Sequence, residues 1–311
     1  MISVLSVFNA DLKFLVNKFP QPGETLHGIS FEVQPGGKGF NQAVACRRSQ
    51  NSDGPDVVML TQLGKDNFAD MAIKVMQQES INASQILTTD LMPTGTAMIM
   101  VEKDTAENMI VIAPGAASLL GPKEIQQFSN VIGSSKLFMT NLEVPMEAAL
   151  ESLRLAQKSN VKTLLDPAPA CELPAEIYSH IDYITPNESE AEILVGFEVK
   201  TLEDAEKAGK ILCSRGAGTS IITMGPLGVV AVNGNETIHS PAFTLDNIVD
   251  TTGAGDAFNG CFAASIIEGK NLKDALRFAS AGAALCVGKN GAANAMAKRT
   301  EIENFLQNSN Q

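Results

Sequence analysis

The chain is short of the residues that mark disulfide-built, membrane-spanning or nucleic-acid-binding proteins. Its 311 residues include five cysteines and no tryptophan. Cys46, Cys171, Cys213, Cys261 and Cys286 are odd in number, widely spaced and form no C-x-x-C pair, which argues against a disulfide framework and a zinc cage. Basic residues are scarce too: 23 Lys and Arg against 35 Asp and Glu leave a formal net charge of −12. That balance repels nucleic acid and anionic membrane surfaces. No apolar run approaches a membrane-spanning length, and "MISVLSVFNAD" lacks the basic start and cleavage pattern of a secretion signal, so a cytoplasmic location is expected.

What the chain does have is an alternation. Short apolar, β-branched runs ("MISVLSVF", "DVVMLTQLG", "KLFMTNLEV", "VKTLLDPAP", "IDYITPN", "TSIITMGPLGVV") are bounded by turn residues, and several lead into segments of helical period such as "DNFADMAIKVMQQE" and "PMEAALESLRLAQKS". Repeated β-α-β units of this kind predict an α/β fold, a Rossmann-like three-layer sandwich around a mostly parallel central sheet. Two stretches break the rhythm: residues 12–34 and 93–113 alternate without a helical period, with turn residues at Gly23, Asp104 and Asn108. Two such insertions can pair into one small β-sheet, which in an enzyme is a lid. With no repeat or linker between the parts, the expectation is a single domain over residues 1–311 that carries this lid.

Two glycine-rich stretches carry the chemistry. In "DTTGAGDAFNG", Asp250 to Gly260, the residues Gly253, Ala254 and Gly255 are expected to form a turn opening a helix. Free N–H groups there and the positive end of the helix dipole bind anions, and small residues let a phosphate come close. No Lys followed by Ser or Thr comes after the last glycine, so a Walker loop is disfavoured. A carboxylate beside an anion hole suits phosphoryl transfer to an alcohol, with Asp256 taking the hydroxyl proton. Taken alone, Asp256 is equally a first-turn acid complementing the dipole. The second stretch, "PGGKGFNQAVA" from Pro35 to Ala45, fails the dinucleotide fingerprint because Gln42 stands in place of the third glycine. Its glycines, Lys38 and Asn41 can instead bring backbone and donors close to a hydroxylated ligand.

Taken together and in order, these stretches resemble the two signatures of the ribokinase-like (PfkB-type) family of sugar and nucleoside kinases. Between them stand "NLE" ending at Glu143, "DPAP" at Asp166 to Pro169, "NESE" carrying Asn187 and Glu190, and "TMG" at Thr223 to Gly225. The resemblance covers nearly the whole chain. "NADLKFLVNKFPQPGET" is similar to the start of the family's ribose kinases and puts Asn9 and Asp11 at the end of the first strand, where open α/β sheets bind ligands.

The resemblance implies ATP-dependent transfer of the γ-phosphoryl group to the 5-hydroxyl of D-ribose. A related kinase for deoxyribose, a ketose or adenosine is the alternative; a non-catalytic sugar sensor would be marked by loss of Asp256 or its flanking glycines, all of which are present. By the same resemblance Asn9, Asp11, Gly37, Lys38, Asn41 and Glu143 hold the sugar, Asp256 is the base, and the Gly253, Ala254 and Gly255 amides face the transferring phosphoryl group. Asn187, Thr223, Gly225, Gly228, Gly255 and Ser280 would line the nucleotide site. Glu190 would act toward Mg²⁺ through water. A monovalent cation, K⁺, would take the Asp250 side chain and main-chain oxygens of Thr252, Cys286, Lys289 and Gly291. The partners implied are ATP, the sugar and a second copy of the chain, in a homodimer formed through the lids.

Three positions depart from the family pattern. Ala295 stands where a hydroxyl-bearing residue usually faces the cation. Ser280 replaces a histidine that meets the adenine. Phe40 replaces a small residue of the sugar loop and either narrows the sugar pocket or packs beneath it. Outside these motifs, Arg47 and Arg48 are expected on a helix surface.

Overall fold

Six short apolar runs lie side by side as parallel strands, because both of their faces are apolar and need cover. In sheet order they are Val57–Leu60, Ile2–Leu5, Leu137–Asn141, Lys162–Asp166, Tyr183–Ile184 and Thr219–Thr223. The computed structural model describes residues 1–309 apart from 106, 235 and 246. Two antiparallel strands, Val229–Asn233 and Glu236–Ser240, complete one edge and make eight strands in all. "TSIITMGPLGVV", a single run in the sequence, is thus two antiparallel strands separated by a tight turn at Gly225–Leu227.

Successive residues of each strand feed opposite layers. Ile2, Val4, Val57, Met59, Leu137 and Met139 join the core under the helices Lys38–Ser49, Asn67–Gln78, Ala254–Ile267 and Leu272–Val287. Leu5, Val58, Leu60, Phe138 and Leu165 point the other way, into the core beneath Met146–Lys158 and Leu202–Ser214. Each of these fully buried side chains contributes about 2 kcal/mol of hydrophobic stabilisation, and together they fix the carboxyl ends of the parallel strands along one rim.

A separate four-stranded sheet stands outside this sandwich, in the order Ser30–Gly36, Asn9–Val16, Gly95–Glu102, Asn108–Ala113. Its middle pair is parallel, from Asn9 opposite Gly95 to Val16 opposite Glu102, so the two insertions are zipped into one lid. The strands begin at Asn9 and end at Gly36, beyond the 12–34 span expected from alternation. This also corrects the placement of Asn9 and Asp11. The first core strand stops at Leu5, and both residues belong to the root of the lid. The outer strand Asn108–Ala113 is exposed along its whole length although it reads "NMIVIA".

Candidate active site

Gly253 caps the helix Ala254–Ile267 with φ 79°, a left-handed conformation that glycine adopts without steric cost. A Cβ there would lie 3.1 Å from the Cα of Ala292, so the following loop also needs the glycine. The helix takes in Ala254 and Gly255, which form its first turn rather than a loop before it. First-turn N–H groups have no carbonyl four residues behind them. A Cβ on Gly255 would meet nothing within 4 Å, so open space lies beside that residue at the positive end of the helix, while the Ala254 N–H donates to the Thr251 carbonyl at 3.3 Å.

Asp256 follows in the same turn, 6% exposed, on a cavity of about 190 Å³. The neighbouring helix Lys38–Ser49 grips both its oxygens: Asn41 Nδ2 donates to Oδ2 at 2.9 Å and Gln42 Nε2 donates to Oδ1 at 3.1 Å. The two helices meet this closely because residue 260 is glycine. A Cβ there would come within 2.6 Å of the Cys46 nitrogen and equally hard against the Gln42 carbonyl.

The residues expected to hold a sugar converge on the start of the Lys38–Ser49 helix and the lid root. Gly37, at φ 95°, turns the chain so that the Lys38 N–H donates to Glu143 Oε2 at 2.8 Å. Glu143 is steadied in turn by its own N–H on Asn141 Oδ1, at 3.2 Å. Asn9 is buried, with no hydrogen-bond partner for its Oδ1 among the described residues, and Gly95 leaves it the space a Cβ would fill. Gly36 does the same for the Asp11 carboxylate. Phe40 is 1% exposed and packs edge-on against Phe8 at 5.3 Å, so it lies beneath the sugar loop rather than in a pocket.

Lys38, Asn187, Glu190, Thr223 and the turn from Gly253 to Asp256 border the same cavity. Asn187 and Glu190 form a capping box on the helix Glu188–Val195: Asn187 Oδ1 accepts from the Glu190 N–H at 2.8 Å, and Glu190 Oε2 accepts from the Asn187 N–H at 2.9 Å. Gly225 and Gly228, both at positive φ, shape the turn after Thr223 but do not line this cavity. Ser280 does not line it either. It sits on the helix Leu272–Val287 with its hydroxyl buried and unpartnered among the described residues.

Four acids, Asp256, Asp166, Glu143 and Glu190, surround one cation here, Lys38, and Asp11 lies further out on the lid root. Burial pushes the Asp256 carboxyl up, opposed by Lys38 and by the Asn41 and Gln42 amides. Burial pushes Asp166 well above its ordinary value and raises Glu190 as well. Glu143 rises to about 7, through burial first and the charge of Asp256 second, and burial lifts Asp11 to about 6. For Lys38 burial works against the charge, but the surrounding acids, Asp256 foremost, outweigh it and raise the ammonium above its ordinary value. Lys38 is therefore a fixed positive charge.

Asp250 lies beside this centre. Its Oδ1 accepts from the Thr252 N–H at 2.9 Å and its Oδ2 from the Gly291 N–H at 3.1 Å. Burial would raise its carboxyl, yet these bonds hold it below the ordinary range. The Lys289 N–H donates to the Cys286 carbonyl at 3.0 Å, which draws the remaining expected cation residues into the same corner. Ala295 is buried there and brings no side-chain oxygen.

This arrangement joins an open helix N-terminus, a buried carboxylate and a polar loop beside a small second sheet. The chain matches the family described as pfkB family carbohydrate kinase over residues 1–299. It belongs to that family. The ribokinase of Haemophilus influenzae is 39% identical over 98% of both chains, and the deoxyribokinase of Salmonella typhi is 33% identical over 98% of both. A structure of Arabidopsis thaliana ribokinase complexed with ribose and ATP covers 99% of each chain with TM-score 0.90 at 26% identity. This pfkB chain is accordingly a sugar kinase, an ATP-dependent phosphotransferase.

Gln42 and Arg48 escaped the motifs of the candidate site, and Asp166 was quoted in one without a role. Gln42 was legible only as the residue that spoils a dinucleotide fingerprint, yet it touches two buried carboxyls, donating to Asp166 at 2.7 Å as well as to Asp256. Asp166 was visible at a strand end in "DPAP", the position where open α/β sheets place functional groups. Arg48 is not simply helix surface. It forks onto Glu79 at 2.6 and 2.8 Å and donates to the Ala293 and Met296 carbonyls, tying the sugar helix to the loop behind Gly253.

Proposed function

We propose that this kinase transfers the γ-phosphoryl group of ATP to the 5-hydroxyl of D-ribose, giving ribose 5-phosphate. The observation that carries the reading is Asp256, held at the mouth of an anion-seating helix by two amides of the helix that begins in the sugar loop. The ribokinase relatives support the substrate.

Asn9, Asp11, Glu143 and the Gly37–Lys38 loop fix the sugar hydroxyls, the carboxylates accepting and Asn9 able to donate and accept. Asp256 takes the proton of the attacking hydroxyl, a role worth about 10²–10⁴-fold in rate. The Gly253, Ala254 and Gly255 amides and Lys38 meet the charge on the phosphoryl group, each donor contributing about 3 kcal/mol to the transition state. Asn187, Thr223, Gly225, Gly228 and Ser280 belong to the nucleotide side. The lid sheet, whose root carries Asn9 and Asp11, closes over the sugar and keeps water from competing for ATP.

Glu190 keeps one carboxylate oxygen outside its capping box and would hold Mg²⁺ through water. Among the described residues no group of three acidic, imidazole or thiol side chains could hold a metal ion, which fits an ion that takes its other ligands from water and phosphate. Mg²⁺, when bound, neutralises charge on the β- and γ-phosphates. Asp250 and the loop carbonyls from Thr252 to Gly291 are hard oxygen donors of the kind K⁺ takes, with one fewer at Ala295. The exposed apolar strand Asn108–Ala113 fits a homodimer through the lids, and free cysteines fit a reducing cytoplasm.

The deoxyribokinase relative supports a second reading, a deoxyribose kinase. Asp11 favours ribose, because a partly buried carboxylate gains most from adjacent hydroxyls that the deoxy sugar lacks. ATP consumption with ribose, 2-deoxyribose, a ketose and adenosine decides. Ribose is expected to give the highest kcat/KM, and a preference for any of the others overturns the assignment.

A further inference from the structure

We propose that Gln42 is a positioning residue for phosphoryl transfer: its single amide nitrogen ties Asp256 to Asp166 and holds the Asp256 carboxylate toward the incoming hydroxyl. The inference rests on Asp256 being the base. Gln42 is completely buried, and Nε2 donates to Asp166 Oδ2 at 2.7 Å and to Asp256 Oδ1 at 3.1 Å. An amide nitrogen has two hydrogens, so each carboxyl receives one. Flipping the amide would turn its oxygen onto two acceptors, so the orientation is dictated by the carboxyls themselves. The glycine at 260 brings the two helices close enough for the contact, and Asn41 takes the second oxygen of Asp256.

The neutrality of the donor matters. The charged or titratable groups around Asp256 are Lys38 on the sugar helix, Asp166 on its strand, Glu143 on the loop after Leu137–Asn141, Glu190 on the capped helix and Cys286 on the helix Leu272–Val287. Lys38 alone is positive. A second cation in place of Gln42 would quench the basicity that proton abstraction needs, whereas an amide orients the carboxylate and leaves it able to accept a proton. Asp166, sharing the same nitrogen, stops the amide from rotating.

The test is Gln42→Met, of similar length and without donors. The expected result is a kcat at least tenfold lower at neutral pH, an acid limb of the kcat profile moved up by about one pH unit, and a KM for ATP within about twofold of wild type. Wild-type kcat and profile in Gln42→Met overturn the proposal. So does a lower kcat with an unmoved limb in a variant that still melts cooperatively, because that is a packing defect alone. If Gln42→Met does not fold, Gln42→Glu keeps the shape and adds a carboxyl, and an unmoved limb there overturns it as well. Asp256→Asn, measured alongside, separates the two readings. It is expected to bind ATP by calorimetry and not to turn over. If it turns over normally, the base assignment falls and Gln42's role with it; if it is inactive while Gln42→Met behaves as wild type, only the Gln42 inference falls.

Discussion

Glu143→Gln is expected to make the ligand-free protein more stable at alkaline pH while weakening its hold on sugar. Burial, with the charge of Asp256 second, lifts the Glu143 carboxyl from 4.5 to about 7, against the pull of Lys38. A rise of about 2.5 units at about 1.4 kcal/mol per unit makes the ionised group cost about 3 kcal/mol above that pH. The folded value lies above the unfolded one, so the folded state binds the proton more tightly. The associated stability is complete below pH 4.5 and is lost as the pH rises through about 7. Glutamine has no charge to bury and keeps an oxygen for the Lys38 N–H, which donates to Glu143 at 2.8 Å. The pull of Lys38 is already contained in that shift, so the gain on removing the charge is about 3 kcal/mol, or about 5 °C in Tm. Thermal unfolding at about pH 8.5 and about pH 5.5 checks this: the variant melts higher at the first, and its advantage is more than halved at the second. KM for the sugar rises about tenfold in the same preparations, the worth of one hydrogen bond to a charged group. A variant less stable at alkaline pH, or a difference equal at both pH values, refutes the reasoning.

Gly253→Ala forces a Cβ into φ 79° and to within 3.1 Å of Ala292; it is expected to lower kcat about 10–100-fold with little change in sugar KM, and an unaltered kcat in steady-state assays would remove the turn from catalysis. Val111, 60% exposed on the outer lid strand, supplies a test of the homodimer: Val111→Asp is expected to sediment as a monomer while melting as wild type does, and a wild-type chain already monomeric at micromolar concentration would refute the interface.

The reaction class was legible because its chemistry is local. A glycine bend, a helix start and an acid in the first turn occupy consecutive residues, so "GAGD" specifies a helix N-terminus with a carboxylate in its first turn wherever the helix is placed. The alternation of apolar runs with helical segments likewise specifies a parallel sheet, since each run is apolar on both faces. Strand limits were less legible at the lid root, where Asn9 and Asp11 in "FNADLKF" read as a strand-end turn although they open the lid strand. The split of "TSIITMGPLGVV" was hidden by its unbroken apolar character.

What the sequence alone determined was the sandwich, the lid and the order of the motifs, all of which rest on periodicity and turn chemistry within short windows. Tertiary structure decided what lies between them. Phe40 turned under the loop because Phe8 offered an edge, and Ser280 was carried away from the cavity bordered by Asp256 and Thr223. Gln42 acquired two carboxyls from positions 124 and 214 residues away. No local pattern encodes such a contact. It depends on how closely two helices pack, and here that is set by the missing side chain of Gly260.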